Sequence, residues 1–110
     1  MPEIRSKRFD TAIALQVQLL RGSTPVDLTG IALSAIVFRI GGKTAAREYA
    51  ATTVDDALGG KVGLTPPTEL VAAETTHYVE VRVTFLDGKI QTFPLEVADR
   101  IIWKVLPSLP

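Results

Sequence analysis

Few residues in this chain have the types and spacing that chemistry requires. Gly41-Gly42-Lys43-Thr44 contains the Gly-Lys-Thr that closes a phosphate-binding loop, in which backbone N–H groups and a lysine cradle phosphate oxygens. The full motif needs a glycine five residues before Gly42, and Val37 stands there, so the segment reads as a hairpin turn. Asp55-Asp56 offers two adjacent carboxylates to a cation. The spaced oxygen ligands and closing glutamate of a calcium loop are missing, and the pair reads as part of a turn. His77 is the sole imidazole, and no Ser, Asp or Glu beside it completes a triad pattern. Glu48, Glu69, Glu74, Glu80 and Glu96 are scattered, and the absence of cysteine removes thiolate and disulfide chemistry. The expectation is a chain with no catalytic residues, no cofactor site and no metal site.

Composition narrows the partners. Twelve Lys+Arg balance twelve Asp+Glu, which gives no general attraction to nucleic acid or anionic lipid. With 46% hydrophobic and 22% charged residues over 110 positions, a single folded domain is expected rather than a disordered segment. No apolar run approaches the ~18 residues of a membrane span. The basic start, Arg5 to Arg8, is followed by a stretch broken by Gln16 and Gln18, so no signal peptide is expected.

The elements follow from alternation. Ile13, Leu15, Val17 and Leu19 occupy every second position of Thr11–Leu20, which is strand periodicity. Arg21 to Gly30 is dense in turn residues and predicts a chain reversal, with Asp27 bonding forward and Gly30 at positive φ. Ile31–Ile40, apolar at both parities, predicts a strand covered on two sides. Lys43–Val54 reads as one weak strand, Asp55 to Gly60 as a turn, Lys61–Thr65 as a short strand, and Thr68–Glu74 as a helical turn. In His77–Phe85, Val79, Val81, Val83 and Phe85 alternate with polar residues, and Lys89–Val97 presents Gln91, Phe93, Leu95 and Val97 to the same core. Only a three-residue loop, Leu86-Asp87-Gly88, sets Val81 opposite Phe93 and both apolar rows on one face. Pro94 cannot donate to a ladder, so this strand is expected to be an edge, or paired only on the side where that N–H is not needed. Such a pattern predicts an all-β, immunoglobulin-like antiparallel β-sandwich of about seven strands.

Several of these segments together resemble a known family. Ser6-Lys7-Arg8-Phe9-Asp10-Thr11-Ala12-Ile13, then Pro25-Val26-Asp27-Leu28-Thr29-Gly30, Phe38-Arg39-Ile40, and Tyr78 to Thr92 resemble, in order, small virion β-sandwich domains of tailed bacteriophages. The nearest likeness is to the N-terminal domain of phage upper baseplate proteins. That resemblance implies a structural attachment module without catalytic residues, a baseplate, tail, neck or capsid component acting through protein–protein contacts. Its implied place is the virion, with other virion proteins as partners. The competing class is a free-standing bacterial immunoglobulin-like adhesin or carbohydrate-binding module.

Domain organisation is expected as an N-terminal arm over 1–10, a sandwich over 11–98 and a C-terminal segment over 99–110 that serves as an assembly contact. Arg5, Lys7 and Arg8 are candidates to grip an acidic protein surface. Ile101, Ile102, Trp103, Val105 and Leu106 are apolar enough to mark an interface, with Trp103 as an aromatic anchor in a neighbour's groove, the alternative being a final strand tucked against its own sandwich. A homo-oligomer or multi-copy assembly is expected.

Overall fold

The strict alternation of His77–Phe85 becomes the central strand of the larger of two sheets. A computed structural model describes residues 3–7, 15–41, 47–67, 70, 75–94 and 101–106. Eleven strands occur among the described residues: β1 (Glu3–Lys7), β2 (Leu15–Gln18), β3 (Leu20–Arg21), β4 (Thr24–Pro25), β5 (Ile36–Gly41), β6 (Arg47–Ala50), β7 (Thr53–Asp56), β8 (Lys61–Leu64), β9 (Thr75–Thr84), β10 (Ile90–Phe93) and β11 (Ile101–Leu106). The main sheet runs β1-β11-β9-β5-β6, and β10 joins the free half of β9 beside β11. The second sheet runs β2-β8-β7, and β3 and β4 form a separate ribbon. The fold is thus an all-β sandwich, antiparallel throughout the described strands except for the parallel pair β1–β11.

Its core is the sum of the inward parities. Val79, Val81 and Val83 of β9 meet Ile36, Phe38 and Ile40 of β5, and all six are at most 2% exposed. Leu15, Val17, Val62 and Leu64 supply the facing sheet. The β9–β10 hairpin has the expected register, with Val81 opposite Phe93, and Phe85 N–H donates to the Lys89 carbonyl at 2.8 Å. Gly88 takes φ 85 at the left-handed position that a three-residue loop demands. The strand ends at Phe93 and, among the described strands, pairs with β9 alone, as an edge strand followed by proline. Leu95 and Val97 lie outside the described residues.

Other expectations are corrected. Residues Ile31–Ala35 are not strand. A 3₁₀ turn over Leu33–Ala35, closed by Ala35 N–H on the Ala32 carbonyl at 3.0 Å, precedes β5 and follows a turn in which Ile31 N–H donates to the Leu28 carbonyl at 3.1 Å. Lys43–Val54 is not one strand. Ala51 N–H donates to Ile36 of the main sheet at 2.8 Å, and Thr52 N–H donates to Gly63 of the second sheet at 2.9 Å, so the chain changes sheets between these residues. Asp55 and Asp56 belong to β7, where Asp55 is the extra residue of a bulge between Val54 and Asp56; the turn begins at Ala57. Of the anticipated helical turn only Leu70 is described, with its N–H on the Pro67 carbonyl at 3.0 Å. Thr11–Ile13 lie outside the described residues.

One hydroxyl braces the sheet crossing. Thr52 Oγ1 donates to the Gly63 carbonyl at 3.2 Å and accepts from Thr65 N–H at 2.9 Å. Replacing Thr52 with Val keeps the shape and the Thr52 N–H bond to Gly63 but leaves Thr65 N–H without its acceptor, and an equilibrium urea titration should show a loss of about 1 kcal/mol. An unchanged midpoint would remove the hydroxyl from the account of this corner.

The reversal before β5 also forms as expected. Asp27 Oδ1 accepts from Thr29 N–H at 2.9 Å, and Gly30 follows at φ 81. Bonding from the Thr29 hydroxyl, and secondarily from its amide, holds the Asp27 carboxyl below the ordinary aspartate value. Because the folded-state pKa is depressed, the contribution is present above the unfolded pKa and is lost as pH falls through the folded one. An NMR titration should place the Asp27 midpoint below that of an ordinary aspartate, and Thr29→Ala should move it back up. Coincident midpoints in the two proteins would contradict the bonding described.

Candidate interaction surface

Two arginines and two glutamates meet on the outer face of the main sheet because three adjacent strands carry charge at matching parity. Register sets Arg39 of β5 between Glu48 of β6 and Glu80 of β9. Arg39 Nη1 donates to Glu80 Oε2 at 3.4 Å, and Arg82 Nη2 donates to Glu48 Oε2 at 2.7 Å and Oε1 at 3.1 Å. Arg39 Nε lies 3.7 Å from Glu48 Oε2, shielded from solvent but without a hydrogen bond, so that contact is Coulombic only. Signs alternate across the face, and each partly exposed pair is worth about 0–1 kcal/mol. Tyr78, 40% exposed, and half-buried Ile102 continue the face beside it in register with each other. The result is a charge-balanced surface with apolar margins.

The outer face of the second sheet is polar in a different way. Gln16, Gln18, Asp55 and Lys61 border a shallow hollow of about 290 Å³, floored in part by Val17. Gly63, the register partner of Gln16, has no room for a side chain: a Cβ there would stand 2.5 Å from Thr53 Oγ1 and 3.2 Å from Asp55 Oδ2. Gln18 Nε2 donates to the Gly59 carbonyl at 2.9 Å, and Gln16 Nε2 reaches Asp55 Oδ2 at 3.5 Å. Asp56 turns away to accept from Gly59 N–H at 3.0 Å, so the two adjacent aspartates do not converge on one point.

His77 has structural partners. Its Nε2 lies 3.0 Å from the Leu70 carbonyl, an acceptor, so Nε2 carries the proton, and its ring centroid is 4.8 Å from that of Trp103. The imidazole thereby ties the Leu70 segment to β11. Among the described residues no group of three His, Asp or Glu is placed to hold a metal ion. No helix of the described residues is long and apolar enough to cross a membrane.

The structure redistributes the expected interface residues. Ile101, Trp103 and Val105 are 7%, 0% and 1% exposed and pack into the protein's own core from β11. Trp103 is therefore not a free anchor for a neighbour's groove; the antiparallel ladder from Ile101–Val79 to Val105–Thr75 turns its face inward. Ile102 alternates to the outer side, and Leu106 closes the strand in register with Lys7. Arg5 stands in register with Lys104, and Arg8 lies outside the described residues. The division into an arm, a sandwich over 11–98 and a separate terminal segment is corrected as well, since β1 and β11 are strands of the main sheet. The lattice of Arg39, Glu48 and Arg82 was missed; its signal was the outward parity of Arg39 and Arg82, but β6 had no readable register.

Fold and surface together define a β-sandwich with ion-paired and amide-bearing outer faces. No family model matches the chain, and no curated protein matches it.

Proposed function

We propose that this chain is a non-enzymatic structural protein of a tailed phage or phage-like particle, a baseplate, tail, neck or capsid component that works by protein–protein contact. The observation that carries the reading is where the family-like segments fall. Pro25–Gly30 is the Asp27-bonded reversal before β5, and Tyr78 to Thr92 is the central strand, its three-residue loop and the edge strand. Of the family-like segments, those that fall on described residues therefore sit on elements that build the sandwich, while Arg8 to Ile13 lie outside the described residues. A charge-balanced face on the main sheet also suits docking among neighbouring proteins. Quantitative mass spectrometry of purified particles tests the proposal. The protein is expected in a fixed copy number per particle, and its absence from particles that are otherwise complete would refute the role.

A further inference from the structure

The open edges of the two sheets are not equally defended. Strand edges invite pairing with another chain, and proteins block them with charge, proline or bulges. Edge strand β7 carries the Asp55 bulge, β6 carries Arg47 and Glu48, β1 carries Glu3, Arg5 and Lys7, and β10 is followed by Pro94. Edge strand β2 has none of these. It reads Leu15-Gln16-Val17-Gln18, pairs in unbroken register with β8 alone among the described strands, and is uncharged.

The hydrogen-bond parity shows what that edge offers. Gly63, the partner of Gln16, gives its carbonyl to Thr52 on the β7 side, and Leu19 N–H bonds Gly60 on the β8 side. Gln16 and Gly63 are thus a non-hydrogen-bonded pair, and the main-chain N–H and C=O of Gln16 and Gln18 point away from β8. The occupant is indicated by the sequence itself, because Leu15-Gln16-Val17-Gln18-Leu19 reads identically in both directions. Two antiparallel copies related by a two-fold axis through Val17 match Leu15 with the partner's Leu19 and Gln16 with the partner's Gln18. Val17 then meets the partner's Val17. The residues with outward main-chain groups are then the ones that bond, each exposed glutamine faces a glutamine, and no like charges meet.

We infer that β2 is the contact between two copies of this chain, joining their second sheets into one continuous sheet across a two-fold axis. This does not rest on the particle reading. The test uses the full chain in sedimentation equilibrium, with two double variants at the exposed glutamines. Gln16→Lys with Gln18→Lys puts like charges opposite each other twice, and the dimer dissociation constant should rise about tenfold or more. Gln16→Lys with Gln18→Glu puts opposite charges there and should dimerise at least as well as the natural sequence. In the unaltered protein, amide exchange at Gln16 and Gln18 should slow as concentration rises, while exchange at Val17 should be slow throughout. A chain that stays monomeric to about 1 mM overturns the inference. So does equal weakening by both double variants, or exchange at Gln16 and Gln18 that ignores concentration; a foreign strand would then be the occupant to seek.

Discussion

Gly60→Ala should lower the stability of this protein by about 3–4 kcal/mol, read as a large fall in denaturant midpoint at unchanged slope. Two separate penalties combine. Gly60 sits at φ 67, which costs an L-residue about 1–2 kcal/mol, and a Cβ there would stand 2.7 Å from the Leu19 carbonyl oxygen and 2.9 Å from that of Val26. Both neighbours are backbone, already committed to hydrogen bonds: Leu19 N–H bonds Gly60 and Val26 N–H bonds Leu19. Neither can retreat without breaking the junction of β2 with the turn before β8. Gly88→Ala is the internal control, since Gly88 has φ 85 but nothing within 4 Å of its hypothetical Cβ. It should cost only the conformational part, about 1–2 kcal/mol. Equal losses at the two glycines would show that close packing at Gly60 contributes nothing.

Trp103→Ala should cost about 3–5 kcal/mol, because the largest side chain in the core would leave a cavity between the sheets. Against a total of about 5–15 kcal/mol for an ordinary domain, such a loss leaves little folded protein at moderate temperature. Ile102→Ala, one residue away on the outer face, should cost about 1 kcal/mol. The contrast tests the parity of β11 directly. Because Trp103 is the single tryptophan, its fluorescence in the natural sequence should be that of an indole out of water and should shift to the red on unfolding. A Trp103→Ala protein that stays folded and fails only to assemble would return the residue to an interface role.

Strand parity was legible wherever large apolar residues alternate with polar ones over a long run. Val79, Val81 and Val83 fixed the inward face of β9, and their phase relative to Phe93 then dictated the loop length, since a one-residue slip would have turned one row outward. Small residues carry no such phase. Ala50 and Ala51 fit either parity, so the change of sheet between Ala51 and Thr52 left no mark on the pattern. The apolar run Ile31–Ala35 looked like strand because hydrophobicity alone does not distinguish a strand from a partly exposed 3₁₀ approach to one, in which no residue is buried. Trp103 was misassigned for a third reason. Its alternation with Ile101 and Val105 is visible, but the strand that pairs with it begins at Thr75, and no local signal names a distant partner. The charged lattice required the same missing knowledge, because Arg39 and Glu48 become neighbours only through the β5–β6 register.

The parallel pairing of β1 with β11 determines how the molecule carries load. The two strands run in the same direction over five paired positions, from Glu3–Ile102 to Lys7–Leu106. Tension applied between residue 3 and residue 106 pulls these strands past each other along their length, so the ladder bonds are strained together and none opens ahead of the rest like a zipper. Rupture then requires the simultaneous loss of the whole ladder, and the rate of forced unfolding follows that barrier rather than equilibrium stability. A pull on the β5–β6 hairpin would meet the opposite geometry, because antiparallel strands held at one end peel apart pair by pair. The sandwich is therefore mechanically anisotropic, more resistant along the line joining β1 and β11 than to peeling of β6 from β5.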